Sequence, residues 1–146
     1  MPGIIVGVDG SGHSQRALQW AMQEAAIRHT PLTVLTVHQA VAGYWGGTAV
    51  YPDDPARTEQ ARAAAQAESD KAMAGLIGPH PESVTVKAVH GYPVEELIEA
   101  GQDADMIVLG SRGSGGFTRL LLGSTAGQVA QHAHCPVLIV PPEDRA

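Results

Sequence analysis

Five short apolar runs, spaced along the whole chain, constrain its fold more than any other feature. They are Ile4-Ile5-Val6-Gly7-Val8, Leu32 to Val37, Val84 to Val89, Met106 to Leu109 and Pro136 to Val140. Each is rich in Val, Ile or Leu, and the length of each suits a strand rather than a helix. The first, apolar on both faces, suits a strand buried in a parallel sheet, while Val84 to Val89 is β-branched and alternating. The segments between the runs have the complementary pattern. Leu18, Ala21, Met22 and Ala25 recur at helical spacing and predict a first helix, capped by Ser14, that runs to about His29. Ala56 to Leu76 is alanine-rich and full of good helix formers. Pro93 suits the first turn of a third helix that turns Val94, Leu97 and Ile98 inward. Ser124 can cap a fourth that extends to about Gln131. The order β-α-β-α-β-α-β-α-β, without repeat or linker, predicts an α/β domain: a single doubly wound parallel five-stranded sheet with four helices. In such sheets ligands bind beyond the carboxyl ends of the strands, where strand order reverses. If the first and fourth strands are neighbours, Asp9 and Gly110 flank that crevice.

The chain has 146 residues, about the length of one domain, and needs no disulfide or metal staple to fold. Its one cysteine, Cys135, precedes Pro136 and an apolar run, which predicts a buried, inert thiol. A lone cysteine and no secretory signal point to the cytoplasm. No apolar run approaches the roughly 20 residues that span a bilayer. The formal charge of −6 argues against nucleic acid or an anionic membrane as a partner. That charge is unevenly placed. No carboxylate occurs between Asp105 and Glu143, where Arg112 and Arg119 remain. An acidic protein thus has one segment fit to accept an anion.

That segment, LGSRGSGGFTRLLLGST from Leu109 to Thr125, follows the fourth strand directly. Glycine lets the backbone approach an oxyanion closely, and consecutive amides then converge on it. The start of the next helix adds free N–H groups and a favourable dipole. Gly123-Ser124-Thr125 brings two hydroxyls, and the arginines bring charge-assisted bonds. Strand end, soft loop and helix start form a phosphate cradle. It is not the GxxxxGK[ST] loop, because no lysine follows Lys87. Nor is it GxGxxG after the first strand, where the chain reads DGSGHS.

The spacing Gly110, two residues, Gly113, nine residues, Gly123, then Ser124 resembles the G-x2-G-x9-G-[ST] pattern of the universal stress proteins. Four further segments resemble that family in order: Ile5-Val6-Gly7-Val8-Asp9-Gly10-Ser11, Val89-His90-Gly91-Tyr92-Pro93, Leu109 to Gly113 and Cys135 to Val140. The resemblance extends over residues 1–146 and implies a Rossmann-like, adenine nucleotide alpha hydrolase-like fold with strand order 3-2-1-4-5. It also implies ATP, with Mg²⁺ on its phosphates, as the ligand. By matching positions, Asp9 would hold the ribose hydroxyls and the backbone of Val37 would meet the adenine edge. Gly110, Gly113, Gly123, Ser124 and Thr125 would cradle the phosphates, with Arg112 beside them. Val8 and Leu109 belong to the same implied set, and Ser124 or Thr125 could reach the Mg²⁺. Pairing of fifth strands implies a homodimer, since an uncovered apolar edge invites a partner.

Several residues carry a plainer reading beside the functional one. Asp9 could make only a turn, Ser124 only a cap, and Arg119 could be solvated. Leu120 to Leu122 read as packing residues. Residues 39 to 55 look irregular, and Tyr44, Trp45 and Tyr51 there could be a lid, a partner surface or aromatics folded back. The histidines are scattered, with no HxxxH or CxxC, and no protein metal site is expected. The cradle holds no carboxylate or glutamine to act on a water, so the expectation is a nucleotide-dependent stress-response sensor, with an unknown protein partner and at most slow hydrolysis. The alternatives are an adenylyl-transferring or ATP pyrophosphatase-like enzyme, or a nucleotide-free interaction module. Neither a HIGH nor an SGGxDS signature follows the first strand, where such enzymes carry one.

Overall fold

A computed structural model describes residues 3–38, 43–45, 48–50, 55–111 and 122–142. The chain alternates strand and helix as β1 (Ile4–Gly7), α1 (Gly12–Arg28), β2 (Pro31–His38), β3 (Gly43–Trp45), β4 (Thr48–Val50), α2 (Pro55–Ala74), β5 (Ser83–His90), α3 (Pro93–Ala100), β6 (Met106–Gly110), α4 (Ser124–His132) and β7 (Val137–Val140). Five strands form one parallel sheet in the order β5-β2-β1-β6-β7. Numbered among those five alone, this is 3-2-1-4-5. The central strand β1 pairs with β2 from Ile4↔Leu32 to Gly7↔Leu35 and with β6 from Ile4↔Met106 to Val6↔Val108.

Alternation along the strands feeds two cores. Ile4, Val6, Leu32, Val34 and Val108 point to the face covered by α1 and α2, where Leu18, Ala21, Met22 and Ala65 meet them. Ile5, Leu35, Ile107 and Leu109 point to the other face, against Leu97 of α3 and Ala126 and Val129 of α4. Strands buried on both faces must be apolar throughout, as β1 and β6 are, whereas the edge strand β5 alternates and exposes Ser83, Thr85 and Lys87. Cys135 is half-buried at the edge of the second core rather than buried within it, and this partial burial pushes its thiol above the ordinary range. Among the described residues no helix is long and apolar enough to cross a membrane.

Four further local expectations are corrected. Ser11, not Ser14, caps α1: its side chain accepts from the Ser14 N–H at 3.2 Å, while Ser14 is buried in the first turn. The helix thereby starts one turn earlier, and it ends at His29 in the left-handed region, with φ 50°. Ser124 is not a cap either. Gly123 takes that position, and Ser124 is the first residue of α4. The stretch 39 to 55 is not wholly irregular. It contains the antiparallel pair β3–β4, with Tyr44↔Ala49 in register, and Pro55 already begins α2. Two short β-forming runs on either side of Gly46-Gly47 were the available signal. Leu122, read as a packing residue, is exposed.

Candidate functional site

The carboxyl end of β1 stops short of its neighbours. Val8 is still in the ladder: it is buried, and its N–H donates to the Leu35 carbonyl at 3.0 Å. Asp9 then leaves the sheet, while β2 runs on to His38 and β6 to Gly110. Backbone groups two residues apart on a strand point the same way. The Leu35 carbonyl faces β1, so the N–H and C=O of Val37 face the space past its end. His38 faces the opposite neighbour, its carbonyl accepting from Gly91 N–H at 3.1 Å. On the far side, Ser111 N–H donates to Val140 of β7 at 3.0 Å, which turns Gly110 toward the same space. Val37 and Gly110 thus border a notch one strand wide, roughly 9–10 Å across at ordinary strand spacing.

Two helix starts close the notch. That of α1 is satisfied from within. Ser11 N–H donates to Asp9 Oδ1 at 2.9 Å, Asp9 N–H to Ser14 Oγ at 3.2 Å, and Ser14 Oγ–H to the Ser11 carbonyl at 3.1 Å. The plain reading of Asp9 as a turn residue therefore holds, and the same carboxylate stands exposed at the mouth. The start of α4 is different. Gly123 is buried, its N–H donates to the Ser111 carbonyl at 2.6 Å, and among the described residues no side chain caps the helix. Ser124 Oγ is exposed and accepts only a 3.4 Å bond from Gln128. Thr125 is half-buried beside it. First-turn amides without a cap, beside strand-end amides, are suited to an oxyanion. Gly110 is required by close approach: a Cβ there would lie 2.9 Å from the His13 carbonyl oxygen of α1. Leu109 is buried in the core beneath. Arg112 and Gly113, with Arg119, lie outside the described residues, as do Leu120 and Leu121.

The structure also brings together residues that the sequence did not single out. Ser111 is buried with no partner for its hydroxyl. His38 and His90, directly opposite in the β2–β5 register, meet edge-to-face at 5.3 Å, and His38 Nε2 lies 2.6 Å from Thr58 Oγ1 of α2. These histidines are paired, not scattered, and only strand register brings them together. Glu68 of α2 is near enough to Asp9 to feel its charge. Burial first, then that charge, raise the Glu68 carboxyl above its usual range, against a hydrogen bond from Gln15. Among the described residues no cluster of three metal-ligating side chains occurs.

A model of the universal stress protein family matches residues 2–141. The chain belongs to that family. A universal stress protein of Mycolicibacterium smegmatis is 34% identical over 146 residues, covering 99% of this chain and 49% of its own length. One from Mycobacterium tuberculosis is 34% identical over 149 residues, covering 97% and 48%. The chain spans about half the length of the curated relatives it matches. Among solved structures, a universal stress protein in complex with cAMP has TM-score 0.66 and 28% identity, covering 96% of each chain. The protein from Archaeoglobus fulgidus in complex with dAMP has TM-score 0.60 and 26% identity, covering 95% of this chain and 97% of its own. That of Lactobacillus plantarum, at TM-score 0.70 and 24% identity over 95% and 97%, shares the fold.

Proposed function

We propose that residues 1–146 form one cytoplasmic universal stress protein domain that binds ATP with Mg²⁺ in the notch and acts as a nucleotide-dependent stress-response sensor. The observation that carries this is the pairing of a strand-end gap with an uncapped helix start. Val37 offers backbone groups to a base edge, while Gly110 and the first turn of α4 face a phosphate tail. Asp9 holds the ribose hydroxyls at the mouth. Ser124 or Thr125 supplies a hydroxyl to the Mg²⁺, and Arg112 and Gly113 complete the phosphate side. The complexes of two relatives with cAMP and dAMP support an adenine nucleotide as ligand. The choice of a triphosphate rests on the resemblance of the Gly110–Ser124 spacing to the family's G-x2-G-x9-G-[ST] pattern. Turnover is slow at most, because Asp9 is committed to the Ser11 turn and no described group is set to orient a water.

Calorimetric titration with ATP, ADP and cAMP, with and without Mg²⁺, tests the reading, with phosphate release measured alongside. Binding of ATP in the micromolar range or tighter is expected. Asp9→Ala should weaken it about tenfold, roughly 1.4 kcal/mol. No heat with any adenine nucleotide would leave an interaction module in its place.

The homodimer belongs to the same proposal. Strand β7 is the sheet's edge and mostly half-buried. Even-numbered residues of β7 bond to β6, through the Pro136 and Val140 carbonyls, so Ile139 N–H points outward. Proline is tolerated where an edge N–H faces away from the sheet. Ile139→Pro should therefore convert the dimer to a monomer with little loss of Tm, read by light scattering. A dimer that persists in this variant rules out pairing through β7.

A further inference from the structure

Away from the notch, α1 and α2 leave a cleft of about 310 Å³ between them. That volume is at the lower end for a small-molecule pocket. Gln15, Gln19 and Gln23 recur every fourth residue and line one wall with carboxamides. Glu68 and Lys71 line the other, and Leu18 and Leu76 add apolar surface. Glu68 Oε2 is shut off from solvent without a hydrogen-bond partner. Lys71 stands exposed one turn further along α2. Glu68 and Lys71 form no ion pair with each other, so they do not neutralise one another. Their Cβ atoms are about 5–6 Å apart at this spacing. Two unneutralised opposite charges that close together match a small zwitterion better than an anion or a cation alone.

We propose that this cleft binds a free α-amino acid, its ammonium donating to Glu68 and its carboxylate meeting Lys71. The amino-acid side chain lies along Leu18 and Leu76, and the glutamine amides bond whatever polar groups it carries. An ammonium entering the cleft gives the Glu68 carboxylate the counter-charge that no described residue supplies. The proposal goes beyond nucleotide binding and does not depend on it.

The test is a thermal-shift screen of the wild-type chain against each protein amino acid at millimolar concentration, without nucleotide. Titration calorimetry follows on the strongest hit, its decarboxylated amine and its deaminated acid. At least one amino acid should raise Tm by mass action. Glu68→Gln and Lys71→Met should each weaken it about tenfold or more, and the amine and the acid should bind comparably weakly. Glu68→Gln also has a readout of its own. The folded-state carboxyl is raised, so the folded protein holds an extra proton between the unfolded and folded pKa values, and wild-type stability falls as pH rises through that window. The Gln variant escapes this loss. It should melt above wild type at neutral pH, with the difference closing in acid, which shows that it is folded when its binding is measured. No Tm rise or heat with any amino acid would overturn the proposal. So would unchanged affinity in Glu68→Gln, or an amine that binds as tightly as its amino acid.

Discussion

Replacing Gly110 with valine is expected to remove measurable ATP binding from a protein that still folds. The new Cβ would stand 2.9 Å from the His13 carbonyl oxygen and 3.0 Å from its carbon. Both are backbone atoms and cannot rotate aside, so the first turn of α1 must shift. That turn is bonded to Asp9 through Ser11 and Ser14, and Gly110 itself borders the notch. One substitution therefore disturbs the ribose and phosphate sides together. Overpacking of this kind costs about 1–3 kcal/mol of stability. The loss of affinity should be at least about a hundredfold, roughly 2.7 kcal/mol. Calorimetry measures the second quantity and urea unfolding the first. Gly12→Ala is the control, because a Cβ there meets nothing within 4 Å. Wild-type affinity in Gly110→Val would place the nucleotide elsewhere.

Ile107→Ala is expected to be the most damaging single truncation of the core. Ile107 is fully buried in the middle of β6, and its side chain fills the space that Gly101 leaves open below α3. Removing it loses apolar burial and opens a cavity that close-packed neighbours fill only in part, at a cost of about 2–5 kcal/mol. For a chain of this size Tm should fall by roughly 10 °C. Ile77, 98% exposed, is the matched contrast. Its replacement by alanine should change stability by no more than about 0.5 kcal/mol. Equal melting curves for the two variants would show that the packing around β6 is wrongly assigned.

Much of the fold is legible in the chain. Ile4-Ile5-Val6 and Met106 to Leu109 read as buried strands because both their faces meet helices, which leaves no position for a polar residue. The glycines at 110 and 123 mark the notch for a local reason. One is needed where α1 comes close, and the other is the buried start of α4. The choice between Ser11 and Ser14 as cap was not legible. Both lie within one turn, and only the bond from Asp9 to Ser14 Oγ commits Ser14 to the interior. Glu68 was invisible as well, because nothing in its own helix distinguishes it from a solvated glutamate until α1 packs alongside.

The sequence by itself determined the five strands of the parallel sheet and the four helices. Those properties depend on residues a few positions apart. The residue pattern left open that β1 lies between β2 and β6, which only the family resemblance implied, and the tertiary structure alone decided that His38 faces His90 and that Glu68 shares a cleft with Lys71 and Gln15. Apolar strand faces are chemically interchangeable, and ladder hydrogen bonds carry no address. Neighbours separated by as many as a hundred residues are selected only when helices, crossovers and both cores are satisfied at once.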